Sequence, residues 1–177
     1  MGSDLVSQAK DFGFSHAALL QTSTLVVRDE VRDMCAADLC HSFNRSWVCP
    51  PACGTLDECR EIIQRYERGL IVQTTAELDD PFDYEGMMAA GVVQKRLVTE
   101  FREVLRPSYP AMKTLGNGAC DGCSECAYPA EPCRHPDLAM PSMEAFGLVV
   151  SDVCAANGLG YNYGPGTVTY TGCYLLD

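Results

Sequence analysis

The stretch from Thr55 to Thr75, TLDECREIIQRYERGLIVQTT, changes its period part-way along. Thr55 is followed three residues later by Glu58, the spacing of a capping box, in which each side chain satisfies a free backbone N–H of the first helical turn. Ile62, Ile63 and Tyr66 then supply one apolar face of a helix that Gly69 ends. Leu70 to Thr75 is a short run, apolar then threonine-rich, of strand length. A helix feeding directly into a strand points to mixed helix and sheet. The flanks agree. Residues 3–13 read as a helix with Leu5, Val6 and Ala9 on one face, stopped by Gly13. His16 to Val27 reads as a buried strand and a short connection, and residues 84–106 form the longest helical pattern, with Met88, Val92, Leu97, Phe101 and Leu105 near helical spacing. Ala111 to Leu115 is a short strand. A helical segment from Ser142 breaks at Gly147 and resumes over 149–157, and Val168 to Leu175 is a terminal strand. The expected fold class is α/β, with α+β also fitting. Residues 1–177 form a single compact domain with a small central sheet, flanking helices, and two cysteine-rich loops, 31–60 and 116–141, on one side of the sheet.

Bulk properties narrow the function. The 177 residues are 47% hydrophobic, which suits a folded domain, and they carry 24 acidic against 13 basic side chains, net −11. That charge disfavours nucleic acid, whose phosphates call for Lys and Arg. It equally disfavours an anionic membrane surface, and it would suit a basic protein partner. No run approaches the ~20 apolar residues of a membrane helix. The N-terminus lacks a basic segment followed by an apolar core, so a cytoplasmic protein is expected.

Eleven cysteines are the informative feature. Their clustering in a chain without an export signal, and their odd number, favour metal over disulfides. The second group, Cys120, Cys123, Cys126 and Cys133, is C-x2-C-x2-C-x6-C. Three cysteines at two-residue intervals let one tight loop aim three sulfurs at one cubane, with the fourth further on beside a proline, here Pro132. Structural zinc is usually built from two separate C-x2-C knuckles and makes poor use of a third cysteine so close. Gly118 and Gly122 fit a loop whose backbone N–H groups approach a cluster.

The first group, Cys35, Cys40, Cys49, Cys53 and Cys59, offers five thiols for at most four places on one cubane. It lies in a segment, 28–54, that reads as a loop. Pro50-Pro51 stiffens the chain after Cys49. The fourth ligand is either Cys53, nearer in sequence but separated from Cys49 by the rigid diproline, or Cys59, which lies in the first turns of a helix where the dipole favours a thiolate; Cys59 is the one expected. If only three thiols bind, one iron keeps an open position at which a substrate could be polarised.

With both groups in view, the chain resembles a bacterial and archaeal family of predicted metal-binding proteins, a domain of unknown function. The resemblance rests on Val31-Arg32 before Cys35, the spacing to Cys40, and Trp47-Val48-Cys49-Pro50-Pro51. It continues through Leu56-Asp57-Glu58-Cys59, Gly118-Ala119-Cys120 with Cys123 and Cys126, Cys133-Arg134-His135-Pro136, and Pro141 to Gly147. It spans about residues 28–176. It implies two cysteine-rich metal sites of iron–sulfur type and occurrence in anaerobes, but no reaction.

His41 and His135 lie close to candidate ligands, and Arg45 and Arg134 could offset the negative charge of a thiolate-held cluster. Cys154 and Cys173 lack ligand spacing and read as core residues. The glycine-rich run 157–166 lacks the strand-to-helix setting of a dinucleotide loop and reads as a turn. The leading expectation is two [4Fe–4S] clusters serving electron transfer with a basic redox partner. An enzyme with an open iron at the first cluster, or a structural zinc module for interactions, are the alternatives.

Overall fold

Strand β2 (Arg68–Glu77) is the axis of the molecule. It pairs antiparallel with β1 (His16–Gln21) on one side and with β4 (Thr167–Leu176) on the other, and β3 (Lys113–Leu115) closes the sheet beside β4, giving the order β1-β2-β4-β3. In β2, Leu70, Ile71 and Val72 are all fully buried. Side chains alternate across a strand, so a continuous apolar run requires cover on both faces, and the sheet has it. Leu70 and Val72 point with Tyr174 and Leu176 toward α1 (Gly2–Phe12) and α4 (Tyr84–Leu105), where Phe101 and Val98 lie at zero exposure. Ile71, Cys173, Leu175 and Leu115 point the other way, toward α3 (Leu56–Ile63), α5 (Val150–Ala156) and the 3-10 turn Glu144–Phe146. Burial of each large apolar side chain contributes ~1.5–3 kcal/mol, so two such cores make a framework that stands on its own packing. The fold is therefore α/β in content, with every strand pair antiparallel. This computed structural model describes residues 2–177, with side chains from Asp4 onward. No helix is long and apolar enough to cross a membrane.

The capping box at α3 is formed: the Thr55 hydroxyl accepts from Glu58 N at 3.2 Å, and Thr55 N donates to Glu58 Oε2 at 2.7 Å. Gly69 does not end that helix, which stops at Ile63. It lies inside β2, where a Cβ would sit 2.2 Å from the Tyr174 carbonyl oxygen.

Three further expectations are corrected. Residues 28–54 are not all loop: α2 (Asp29–Ala36) carries Cys35 on its last turn, and with Val31 as its one buried residue it leaves no periodic trace in the sequence. The inward face of α4 runs through Ala90, Gln94, Leu97, Val98, Phe101 and Leu105, leaving Met88 and Val92 half exposed. Gln94 takes the inward place because its amide is satisfied there, by the Thr74 hydroxyl and by Val72 O at 3.3 Å. Finally, the second cysteine loop is not confined to one side of the sheet. It wraps the β3 edge, tied to α4 by Lys95 reaching Ala119 O and Asp121 and by Arg102 donating to Asp137 O.

Candidate metal centre

The 3-10 turn Glu144–Phe146 forms the floor under the first cysteine group. Gly147 adopts φ 75° and lets the chain turn back sharply against Val27 and Leu56, placing the Glu144 and Ala145 carbonyls beneath α2 and the loop after it. Cys53 Sγ lies 3.6 Å from Ala145 O, and Cys35 Sγ lies 4.0 Å from Glu144 O. Arg32, one turn before Cys35, stitches the arrangement. It donates to Gly54 O at 2.9 Å and Ala145 O at 2.8 Å, and its guanidinium comes within 3.8 Å of Cys59 Sγ.

The five thiols form a chain of neighbours. Cys49 lies in electrostatic reach of Cys40 and Cys35, and Cys53 in reach of Cys59 and Cys49. Burial pushes the Cys49 and Cys53 thiols up to about 11, with Arg32 opposing it at Cys53. Deprotonating them at neutral pH calls for a strong local positive charge, which a bound metal supplies. Cys40 is exposed at one end of this series, and Cys59 is fully buried at the other, on the core-facing side of α3. Lys113 lies near that buried end, its amine 5.5 Å over the Phe146 ring. Burial pushes its pKa down, while Cys59 and Cys53 pull it up.

The second group surrounds one cavity of about 180 Å³, and all of Cys120, Cys123, Cys126 and Cys133 line it. Its far wall is part of the first loop, from His41 to Val48. The two loops are latched together. Trp47 Nε1 donates to Glu131 O at 3.0 Å, the Trp47 and Tyr128 rings meet edge-on at 4.9 Å, and Tyr128 OH donates to Asn44 Oδ1 at 2.8 Å. The Tyr128 N–H above all, then the Trp47 N–H, the Ser46 hydroxyl and the nearby Arg134, bring the Cys126 thiol below its ordinary value against the opposing effect of burial. Several donors converging on one sulfur favour a thiolate and suit a metal-bound one. Cys120 and Cys49 are also electrostatic neighbours, so the two groups adjoin. Among the described residues, no three His, Cys, Asp or Glu side chains converge as the ligands of a single ion would.

Arg134 is spent bracing the loop, donating to Glu125 O at 2.9 Å, and Arg45 pairs with Asp38 at 3.6 Å. His41 and His135 both line the second cavity. Cys154 and Cys173 are fully buried in the same apolar core as Cys59, and burial pushes Cys173 up to about 12. The run 157–166 is irregular; Tyr163 stacks on His16 at 3.8 Å and donates to Gln73 at 2.7 Å. Spacing did not single out Ser46, Arg32 or Lys113, which act on the sulfurs from one residue type each and leave no motif. Arg32 and the Trp47 segment were visible only as part of the family resemblance.

A family model described as Predicted metal-binding protein (DUF2284) matches residues 18–176. The comparison with curated proteins and the comparison with solved structures returned no match.

Proposed function

The chain belongs to this family of predicted metal-binding proteins, and from that premise we propose that it is an iron–sulfur protein holding two adjacent [4Fe–4S] clusters and passing single electrons to a redox partner. The observation that carries the reading is the second cavity, lined by all four cysteines of the C-x2-C-x2-C-x6-C run and walled by the first cysteine loop. Cys120, Cys123, Cys126 and Cys133 would hold one cluster. Cys35, Cys40, Cys49 and Cys53 would hold the other. Cys53 is chosen over Cys59 because it neighbours Cys49, whereas Cys59 is wholly enclosed in the core. When bound, such clusters supply reversible one-electron exchange at potentials set by their surroundings.

The protein's own groups do the rest. Arg32 offsets negative charge at the first group and fixes its floor. The Tyr128 and Trp47 N–H groups stabilise charge on Cys126. The adjoining of Cys49 and Cys120 gives electrons a short path between the groups. Cys40, at the outer end of the first group, is exposed, as are Met34, Leu39 and Asp33 in the chain just before it. An apolar centre in an acidic surface favours a partner whose own rim is basic.

The test is anaerobic reconstitution of the full chain, with iron, sulfide and zinc counted and EPR recorded after reduction. Two clusters' worth of iron and sulfide, with spectra unmoved by cyanide, is the expected result. A colourless protein with stoichiometric zinc would refute the proposal, and a cyanide-shifted spectrum would point instead to an open iron.

A further inference from the structure

A helix at a protein surface ordinarily turns its apolar stripe to the core and charged residues to water. The first half of α4 does not. Its inner side is closed by residues such as Gln94 and Phe101. On its outer side Met88 is 51% exposed, Val92 59% and Val93 37%, and Ala89 is exposed too. Residues 86–94 carry no ionisable side chain. Exposed charges stand only at the two ends of this stretch, Glu85 before it and Arg96 after it. Neither belongs to any salt bridge among the described residues.

The order of these residues along the helix is symmetric. Glu85, Ala89, Val92 and Arg96 are spaced four, three and four apart. At 3.6 residues per turn they form one band about 60° wide, with its charged ends about 16 Å apart along the axis. Met88 lies on one flank of the band and Val93 on the other. A four-three spacing of this kind is the seam along which two helices pack side by side. Turned end over end, the band matches itself: acid meets base at each end, and small Ala89 meets larger Val92 on either side of the midpoint.

We propose that this face binds a second copy of the chain, as an antiparallel α4–α4 pair about a two-fold axis passing between Ala90 and Gly91. A two-fold contact uses the same patch on both subunits, so it requires a surface that complements itself. A foreign partner would require no such symmetry. In the pair, Glu85 meets the partner subunit's Arg96, and Arg96 meets the partner subunit's Glu85. Ala89 packs against the partner subunit's Val92. The parallel arrangement is selected against, because it would set acid on acid and base on base. The contact spans only three turns, so it falls at the small end of specific interfaces and the dimer is a weak one. It does not depend on the identity of the bound metal.

The experiment is sedimentation velocity on the full chain, metal-free and anaerobically reconstituted, from low to high micromolar concentration. Dithiothreitol is kept present so that no intermolecular disulfide contributes. The wild-type chain should pass from monomer to dimer as concentration rises. Glu85→Arg and Arg96→Glu should each weaken the dimer roughly tenfold, since the axis makes every change twice. The double variant, Glu85→Arg with Arg96→Glu, exchanges the partners at both ends and should recover the wild-type midpoint. Val92→Glu puts two like charges beside the axis and should leave a monomer. All four changes lie on the exposed side of α4, and circular dichroism checks that each variant is folded. A wild-type chain that stays monomeric throughout overturns the proposal. So does a dimer that survives Val92→Glu, or a double variant no better than the single ones.

Discussion

Replacing Arg32 with Met should destabilise the protein by about 3 kcal/mol. Met keeps much of the arginine stem's volume, so the change reads mainly the lost polar contacts. Arg32 makes two charge-assisted hydrogen bonds to carbonyls, Gly54 O at 2.9 Å and Ala145 O at 2.8 Å. Hydrogen bonds of this kind contribute ~1.5–3 kcal/mol each. Both are only partly buried, so water can reach the abandoned carbonyls in part, and the lower end of the range applies to each. For a chain of this size, ~2–4 °C in Tm accompanies each kcal/mol, which puts the expected drop at roughly 6–12 °C. Circular dichroism melts and urea titrations of the metal-free full chain measure it. A lysine at this position carries a point charge without the planar fork and cannot serve both carbonyls equally, so Arg32→Lys should recover about half the loss. Arg106 is the control. Its pair with Glu103 lies largely in solvent, and Arg106→Met should leave the melt nearly unchanged. A change below about 1 kcal/mol for Arg32→Met would refute the claim that Arg32 stitches Gly54 to the Ala145 floor.

The remaining predictions address the ligand set and the frame. Cys53→Ser should lose the first site's iron while Cys59→Ser keeps it, read by iron counting on anaerobically reconstituted protein; the reverse outcome would restore Cys59 as the fourth ligand. Thr55→Ala should cost ~1 kcal/mol in urea denaturation through loss of the α3 cap. The hydrogen bonds from Thr55 hold the Glu58 carboxyl below its ordinary value. Its contribution is thus complete above the unfolded carboxyl's pKa and fades as pH falls through the lower folded value, so Glu58→Gln should flatten the acid limb of the stability–pH curve. Gly69→Ala would drive a Cβ to 2.2 Å from the Tyr174 carbonyl in the central ladder, and soluble, folded protein with an unchanged melt would contradict the β2–β4 register.

Much of the frame was legible in the sequence because its signals were local. The Thr55–Glu58 box, the Leu70–Val72 run and the break at Gly147 each act within a few residues. Met88 and Val92 misled for the opposite reason. The α4 face is chosen by Gln94, whose burial depends on Thr74 and Val72 twenty or more residues away. The candidate site divides the same way. Spacing alone gathered Cys120, Cys123, Cys126 and Cys133, which now line one cavity. It left Cys53 and Cys59 unresolved, because the difference between them is depth: one faces the Ala145 carbonyl, and the other is buried on the inner face of α3. Spacing gave no sign of the Trp47 contact with Glu131, since it is made across two loops some eighty positions apart, and only the family resemblance marked that segment.

The division of the chain into frame and loops also bears on its size. A protein that only carries clusters could be far shorter, since a few cysteine loops suffice to bind them. Here the two cores on either face of the sheet are built almost entirely from helix and strand, with Cys59 the one thiol of the two groups that reaches into them. The segments from Ala37 to Gly54 and from Gly116 to Ser142 have almost no regular structure. Their order comes from a few cross-loop contacts: Trp47 on Tyr128 and Glu131, Tyr128 on Asn44, and Arg32 on Gly54. Where a site is not preformed by packing, the free energy of metal binding is also the free energy of ordering the loop. The helix–sheet frame should therefore melt at nearly the same temperature with and without metal, while limited proteolysis of the metal-free chain should cut within 37–54 and 116–142. Cleavage spread evenly over α4 and the strands would mean that the frame, too, depends on its metals.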